Sequence, residues 1–254
     1  MLRSVLLSFL FLAQIICPFP SVAGDRQLTV AGASDLAFAF KEIAALFEKE
    51  TGWKVVLSMG STGMLAKQIE HGAPFDAFFA ANKSYIDGLA DKGKVISETV
   101  GLYARGRIVL AVRKGSEMKP EGLQGLVSGS YRIAIANPDH APYGKAAMEA
   151  MKAAGVWDKV KTRLVYGENI RQALQFVQSG NAPVGVVALS VADVPEIDYI
   201  LIPEELHAPI DQAAAVVTAS KNGQAARDFI RFVNGPWGAP IMEKYGFMLP
   251  GVLE

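Results

Sequence analysis

Short apolar runs typical of buried strands alternate with helical patterns along most of the 254-residue chain. Residues 28–31 have the composition of a strand, and the apolar residues of the next segment, 36–47, recur at helical spacing. Similar pairs follow as far as two predicted C-terminal helices, residues 224–234 and 239–245. Strands that alternate with helices form mainly parallel sheets covered by helices. The sequence therefore predicts an α/β protein.

The number of predicted elements suits either one large sheet or two lobes. Two segments are candidate crossings between lobes, one near residues 103–106 and the other near residues 210–212. The sequence between them contains its own set of strands and helices. We therefore expect a discontinuous first lobe, residues 25–104 plus 213–254, and a second lobe, residues 105–212.

The first 23 residues are typical of a secretory signal. A basic start at Arg3 is followed by an apolar run that ends near Cys17 and then by the small residues of segment 21–23. The run is shorter than the roughly 20 apolar residues that a membrane-spanning helix needs. We expect an exported protein, cleaved near Ala23, whose mature chain has lost its single cysteine.

Charge and composition exclude several classes of function. The chain carries 25 Lys and Arg against 25 Asp and Glu, so it lacks the basic excess of a nucleic-acid-binding protein. One cysteine cannot form a Cys-based metal site, and the three histidines are scattered. The sequence also lacks the glycine motifs that bind nucleotide phosphates. We expect neither a cofactor nor a nucleic-acid partner.

The polar residues that could bind a ligand lie at strand-to-helix turns. Ligands of open parallel sheets bind beyond the carboxyl ends of the strands, where helix N-termini offer free N–H groups and partial positive charge. Several such ends can bind an anion together without Lys or Arg. Each turn also has a structural interpretation, since Ser34 and Asp35 are common helix caps and Ile170 is a natural core residue. The four turns are residues 32–35, 60–63, 142–144 and 167–170.

Several motifs around these turns resemble the periplasmic molybdate-binding proteins of ABC transporters, and G-S-T-G-M-L-A-K-Q-I is the most specific of them. The resemblance extends from about residue 28 to residue 247 and implies a type II periplasmic binding fold. In that fold two α/β lobes, each with a mainly parallel sheet, enclose a ligand cleft. The motifs occupy residues 30–36, 60–69, 72–80, 137–145, 168–174, 182–187 and 244–247.

The resemblance implies a site for tetrahedral molybdate or tungstate, with molybdenum present only as the oxyanion and without protein–metal bonds. It further implies an ABC permease as partner and a periplasmic monomer. Asp35 is expected to offer its N–H and to turn its carboxylate away. Tyr143 is expected to donate its hydroxyl, because Ala188 stands where some relatives have a tyrosine ligand. The matching positions are Ser34, Asp35, Ser61, Thr62, Tyr143 and Ile170.

Two alternatives stay open at this stage. One is a binder of sulfate or phosphate, in which Asp35 would accept a hydrogen bond from protonated phosphate. The other is a secreted serine hydrolase, which would need a histidine beside Ser34 or Ser61, and His140 stands in a strand-end loop. The segment 60–63 is not the Gly-x-Ser-x-Gly motif of such enzymes. We expect a binding protein without catalytic residues.

Overall fold

The computed structural model describes residues 26–116 and 122–252. The strands in this part of the chain are β1 (Gln27–Ala33), β2 (Lys54–Gly60), β3 (Ala77–Ala80), β4 (Gly101–Gly106), β5 (Ile108–Arg113), β6 (Ile133–Ala136), β7 (Leu164–Gly167), β8 (Val184–Ala188), β9 (Ile197–Leu201) and β10 (Ile210–Val216). The α-helices are α1 (Ala37–Thr51), α2 (Thr62–Glu70), α3 (Lys83–Asp91), α4 (Pro142–Ala153), α5 (Trp157–Val160), α6 (Ile170–Ser179), α7 (Leu189–Ala192), α8 (Gly223–Asn234) and α9 (Ala239–Lys244). Short 3₁₀ turns occupy Ser34–Leu36, Ser97–Thr99, Leu123–Val127, Lys161–Arg163, Glu204–Leu206 and Pro250–Val252.

The strands form two five-stranded sheets, which confirms the predicted two-lobed α/β architecture. The first sheet has the order β2-β1-β3-β10-β4, and the second has the order β7-β6-β8-β5-β9. Each sheet contains two parallel and two antiparallel pairings, so the sheets are mixed rather than mainly parallel. The antiparallel pairs all involve β10 or β5, the strands that adjoin the crossings between the sheets.

The chain crosses between the sheets at two places. A single residue, Arg107, separates β4 of the first sheet from β5 of the second, and residues 202–209 connect β9 back to β10. The segments interpreted as connections in the sequence belong to β4 and β10, since Tyr103 and Ala104 are fully buried in the first sheet. The lobe boundaries expected from the sequence stay a prediction.

Aromatic packing fixes α1 against the first sheet. Phe40 and Phe47 recur on one face of α1 and are buried. Phe40 packs edge-on against Phe79 of β3 with ring centroids 4.8 Å apart, and Phe47 packs against Phe229 of α8 at 5.1 Å. Such pairs contribute about 0.5–1.5 kcal/mol beyond the area that they bury. The packing therefore fixes the turn that joins β1 to α1.

The second sheet is built from small and β-branched residues. Every residue of β6 and β8 is buried, as expected for strands covered on both faces. At the start of α4, a Cβ atom on Gly144 would lie 2.1 Å from the carbonyl oxygen of Ala136 at the end of β6. Glycine therefore allows α4 to approach the end of β6 closely, which places Tyr143 near the cleft.

The predicted secretory signal and its cleavage near Ala23 lie outside the described residues. Across residues 26–116 and 122–252, no helix is long and apolar enough to cross a membrane.

Candidate functional site

All of the predicted site residues line one small cavity between the two sheets. About 190 Å³ of space not filled by protein atoms lies within it, part of it open to solvent. The turns after β1 and β2 contribute from the first sheet, and the first residues of α4 and α6 contribute from the second. Among the described residues, no Lys or Arg lines it. The lining residues are Ala33, Ser34, Asp35, Gly60, Ser61, Thr62, Ala81, Ala141, Pro142, Tyr143 and Ile170.

The turn after β1 differs from its expected conformation. Residues Ser34–Leu36 form a 3₁₀ turn before α1, and neither Ser34 nor Asp35 makes a side-chain cap hydrogen bond there. The interpretation of these two residues as helix caps is therefore wrong. Both residues are buried and line the cavity, and neither side chain is used as a helix cap.

The helices α2 and α6 present their N-termini to the cavity. Ser61 caps α2, which begins at Thr62, two residues earlier than the sequence predicted. Asn169 caps α6, and its side chain accepts the N–H groups of Arg171 and Gln172 at 3.0 and 3.1 Å. These two cap hydrogen bonds do not use the N–H of Ile170. Ile170 lines the cavity.

The Thr62 hydroxyl is oriented by the backbone. Its Oγ1 accepts the N–H of Ala81 at 3.0 Å, and Thr62 is almost fully buried. Because a hydroxyl accepts and donates at the same time, this bond leaves the hydroxyl proton available to an acceptor in the cavity. Thr62 therefore fits the predicted role of a hydroxyl donor.

His140 joins the loop before α4 to the start of α2. Its Nδ1 lies 2.8 Å from Ser61 Oγ, and its carbonyl oxygen accepts the Gly63 N–H at 2.9 Å. A serine–histidine pair is also what the hydrolase alternative requires. In the described ranges, however, no hydrogen bond joins the His140 ring to a carboxylate, so the third group of a catalytic triad is missing there. Ser61 Oγ also serves as the cap acceptor for Met64 N–H.

Asp35 is the centre of a buried hydrogen-bond network. Its Oδ2 accepts the Tyr143 hydroxyl at 3.0 Å and the Gln212 Nε2–H at 2.8 Å. Gln212 also donates to the Tyr143 hydroxyl oxygen at 2.9 Å and accepts the Tyr103 hydroxyl on its Oε1. The Tyr143 hydroxyl, expected to donate to a ligand, thus donates to Asp35, because the buried carboxylate is its strongest nearby acceptor.

Burial dominates the electrostatics of this network. It raises the pKa of Asp35 to about 6, against the lowering effect of the hydrogen bonds from Gln212 and Tyr143. The pKa values of Tyr143 and Tyr103 lie well above the ordinary value, first because both phenols are buried and then because of the charge of Asp35. Both phenols are therefore neutral hydrogen-bond donors at physiological pH.

Gln212 and Gly106 are site residues that the sequence reasoning missed. Gln212 is completely buried, and its signal is a long polar side chain directly before three alanines of β10. A Cβ atom on Gly106 would lie 2.0 Å from the Tyr143 hydroxyl oxygen and 2.8 Å from Gln212 Nε2. Glycine at the crossing therefore lets the backbone pass directly beside the network.

Ser190 supplies a further bond between the sheets. It lies in α7, two residues after Ala188, and its hydroxyl donates to the backbone carbonyl of Asp35 at 2.9 Å. The bond connects the turn after β1 with the helix that follows β8. It holds the backbone of Asp35 in place while the side chain faces Tyr143 and Gln212.

Two α/β lobes that meet on a small cavity lined by hydroxyls and helix N-termini define a two-lobed ligand-binding protein. The family model of the bacterial extracellular solute-binding proteins matches residues 28–248. The chain belongs to this family.

Named relatives agree with the resemblance found in the sequence. The molybdate-binding protein ModA of Azotobacter vinelandii is 35% identical over 233 residues, which cover 89% of this chain and 92% of that protein. The solved structure of the A. vinelandii periplasmic molybdate-binding protein matches with a TM-score of 0.82 at 31% identity, covering 88% of this chain and 99% of the other. The sulfate-binding protein SubI of Mycobacterium tuberculosis, with a TM-score of 0.77 at 17% identity over 89% of this chain and 88% of its own, shares the fold.

Proposed function

We propose that this protein captures molybdate or tungstate in the cavity between its lobes and delivers it to an ABC permease in the membrane. One observation carries the proposal: four turns from both sheets converge on one cavity lined by hydroxyls and helix N-termini. The similarity to the ModA protein of A. vinelandii supports molybdate as the ligand. The protein then acts in the periplasm as a monomeric binding protein, without catalysis, a cofactor or a nucleic-acid partner.

The donor set suits a tetrahedral dianion. Molybdate carries no proton at neutral pH, so it requires hydrogen-bond donors from the protein. The hydroxyls of Ser34, Ser61 and Thr62 and the N–H groups of Asp35 and Ile170 supply them. Neutral donors also avoid a fixed buried counter-charge, which would be costly whenever the site is empty. Tyr143 contributes by holding the Asp35 carboxyl.

Closure follows from the division of this donor set between the lobes. The residues after β1 and β2 lie on one sheet, and those at α4 and α6 lie on the other. A ligand that contacts both sides binds the closed state more tightly than the open state, and this difference in affinity shifts the equilibrium towards closure. The permease can then recognise the closed form.

Isothermal titration calorimetry of the mature protein with molybdate, tungstate, sulfate and phosphate tests the proposal. We expect one molybdate or tungstate per chain and a raised melting temperature with each, because a ligand that binds the native state stabilises it. Heat and stabilisation with phosphate or sulfate but not with molybdate would contradict the proposal. Phosphate is the alternative that the buried carboxyl of Asp35 favours, since protonated phosphate has a hydrogen to donate to it.

A further inference from the structure

The two carboxyl oxygens of Asp35 have different surroundings. Oδ2 accepts hydrogen bonds from Tyr143 and Gln212. Oδ1 is fully buried and has no hydrogen-bond partner among the described residues. Asp35 also lines the cavity. An unpaired buried carboxyl oxygen is costly in an otherwise satisfied network, so Oδ1 calls for an explanation.

The groups around Asp35 leave its charge unpaired. Tyr143 of α4 and Tyr103 of β4 are neutral phenols, Gln212 of β10 is a neutral amide, and Ser190 of α7 bonds to the backbone carbonyl. The backbone N–H groups of Asp35 and Leu36 also lie near the carboxyl and favour its charged form. None of these groups carries a positive charge.

Charged residues on the other neighbouring elements do not pair with Asp35 either. Arg171 of α6 lies with its guanidinium 4.4 Å from the ring centre of Phe38. The helix α1 and the strand β2 also pack against the 3₁₀ turn. Within the described ranges, no ion pair joins Asp35 to a Lys, Arg or His of any of them. The His140 ring is hydrogen-bonded to Ser61, which lines the cavity.

An ionised Asp35 and a bound dianion would repel each other in a buried site. Two like charges at close range disfavour the charged form of the group that can take up a proton. A protonated carboxyl removes this repulsion. Its Oδ2, as the carbonyl oxygen, still accepts from Tyr143 and Gln212, while Oδ1–H becomes a donor.

We propose that the protein binds its oxyanion together with one proton, which resides on Asp35 Oδ1 and is donated in a hydrogen bond to a ligand oxygen. The inference rests on the proposed function. Protein, dianion and one proton from solvent combine, and release of the ligand returns the proton. Asp35 is thus a specificity-determining donor for fully deprotonated tetrahedral dianions, in contrast to an acceptor for protonated phosphate.

The raised pKa of Asp35 lowers the free-energy cost of this proton uptake at neutral pH. With a pKa of about 6, protonation at pH 7 weakens binding by about tenfold. At the ordinary pKa of 3.8 for an aspartate, the same proton would weaken binding by about a thousandfold. Burial thus prepares the carboxyl for the ligand.

Calorimetry with molybdate at pH 8, in two buffers of different ionisation enthalpy, counts the protons. We expect uptake of about one proton per ligand and a dissociation constant that rises about tenfold from pH 7 to pH 8. Asp35→Asn places an amide N–H near Oδ1, so its binding should take up no proton, show no such pH dependence and be up to about 100-fold tighter than wild type at pH 8. Asp139→Asn, in an exposed position of the loop before α4, is the matched control and should keep the wild-type uptake.

The outcomes separate this inference from the proposed function. Molybdate binding by the wild type without proton uptake, and with a flat pH profile, overturns the inference and leaves the proposed function standing. Uptake that persists in Asp35→Asn assigns the proton to another group and also overturns the inference. Failure of the wild type to bind molybdate at any pH overturns both. Absence of proton uptake in the wild type overturns the inference whether or not Asp35→Asn folds.

Discussion

The Oγ atom of Ser61 lies 2.8 Å from Nδ1 of His140, although 79 positions separate the two residues in the chain. Ser61 follows β2 of the first sheet and His140 precedes α4 of the second, so this hydrogen bond joins the lobes. It forms beside the cavity, which Ser61 lines. We therefore expect the pair to help hold the two lobes together around a ligand.

His140→Ala should weaken molybdate binding by about 0.5–1.5 kcal/mol, the net value of a typical hydrogen bond. The loss should appear mainly as faster ligand release, because the closed state loses one of its bonds between the lobes. Stopped-flow measurement of dissociation checks this. Asp139→Ala, which alters an exposed neighbour, is the control, and an unchanged release rate in His140→Ala would remove the role in closure.

Ser34→Ala and Thr62→Ala should each weaken binding by roughly 1–3 kcal/mol, because a buried charged acceptor loses a donor. Calorimetric titration with molybdate measures the change. Thr162→Ala, a surface threonine on the second lobe, should leave the affinity at its wild-type value. Wild-type affinity in both site variants would show that these hydroxyls do not contact the ligand.

Tyr143→Phe separates two roles of the Tyr143 hydroxyl. If the hydroxyl donates to Asp35, as in the structure, its loss raises the pKa of Asp35 further, because one of the bonds that lower it is gone. The pH at which proton uptake begins to weaken molybdate binding should then move upward, which a series of titrations between pH 6 and pH 9 measures. A uniform loss of affinity at every pH, without a shift of the profile, would instead indicate a direct donor to the ligand.

The contribution of Asp35 to the stability of the ligand-free protein should decrease as the pH rises from about 4 to about 6. Burial raises the pKa of Asp35 from its ordinary value of 3.8 to about 6, so the folded state binds this proton more tightly than the unfolded state does. Its contribution is complete below pH 3.8 and is lost as the pH passes the folded-state value. Asp35→Asn should therefore be more stable than wild type at pH 7, by up to about 3 kcal/mol.

Urea unfolding at pH 4, 5, 6 and 7 measures this contribution of Asp35 to the free energy of unfolding. The difference between Asp35→Asn and wild type should grow from pH 4 to pH 6 and then level off. The same difference should stay constant with pH for the exposed control Asp139→Asn. A difference for Asp35→Asn that is independent of pH would mean that the carboxyl has the same pKa in the folded and unfolded states.

Gly106→Ala should destabilise the protein by about 1–3 kcal/mol, the usual cost of forcing extra volume into a packed site. The new methyl group would collide with the Tyr143 hydroxyl and Gln212 Nε2. Gly101→Ala, at the other end of β4, is a matched control, because a Cβ atom there meets no atom within 4 Å. Equal melting temperatures for the two variants would contradict the close approach at Gly106.

The sequence located the four turns because their signals are local. The alternation of strands and helices and the glycines between them placed Ser34, Thr62 and Ile170 between a strand and the next helix, although the cap at Ser34 and the first residue of α2 were assigned wrongly. The Asp35 network was missed because its partners are distant in the chain. Gln212 stands 177 positions after Asp35 and 109 after Tyr103, and no local pattern predicts such contacts. The mixed sheets were missed for the same reason, since strand direction depends on which distant strands pair.

Tyr103 belongs to two environments at once. Its ring packs edge-on against Phe79 in the aromatic core, with centroids 5.2 Å apart, and its hydroxyl donates to Gln212 beside the site. The side chain of Tyr103 thus belongs both to the hydrophobic core of the first lobe and to the hydrogen-bond network beside the cavity. Because Gln212 also donates to Asp35, we expect a substitution that loosens this aromatic stack to disturb the binding site as well as the stability of the first lobe.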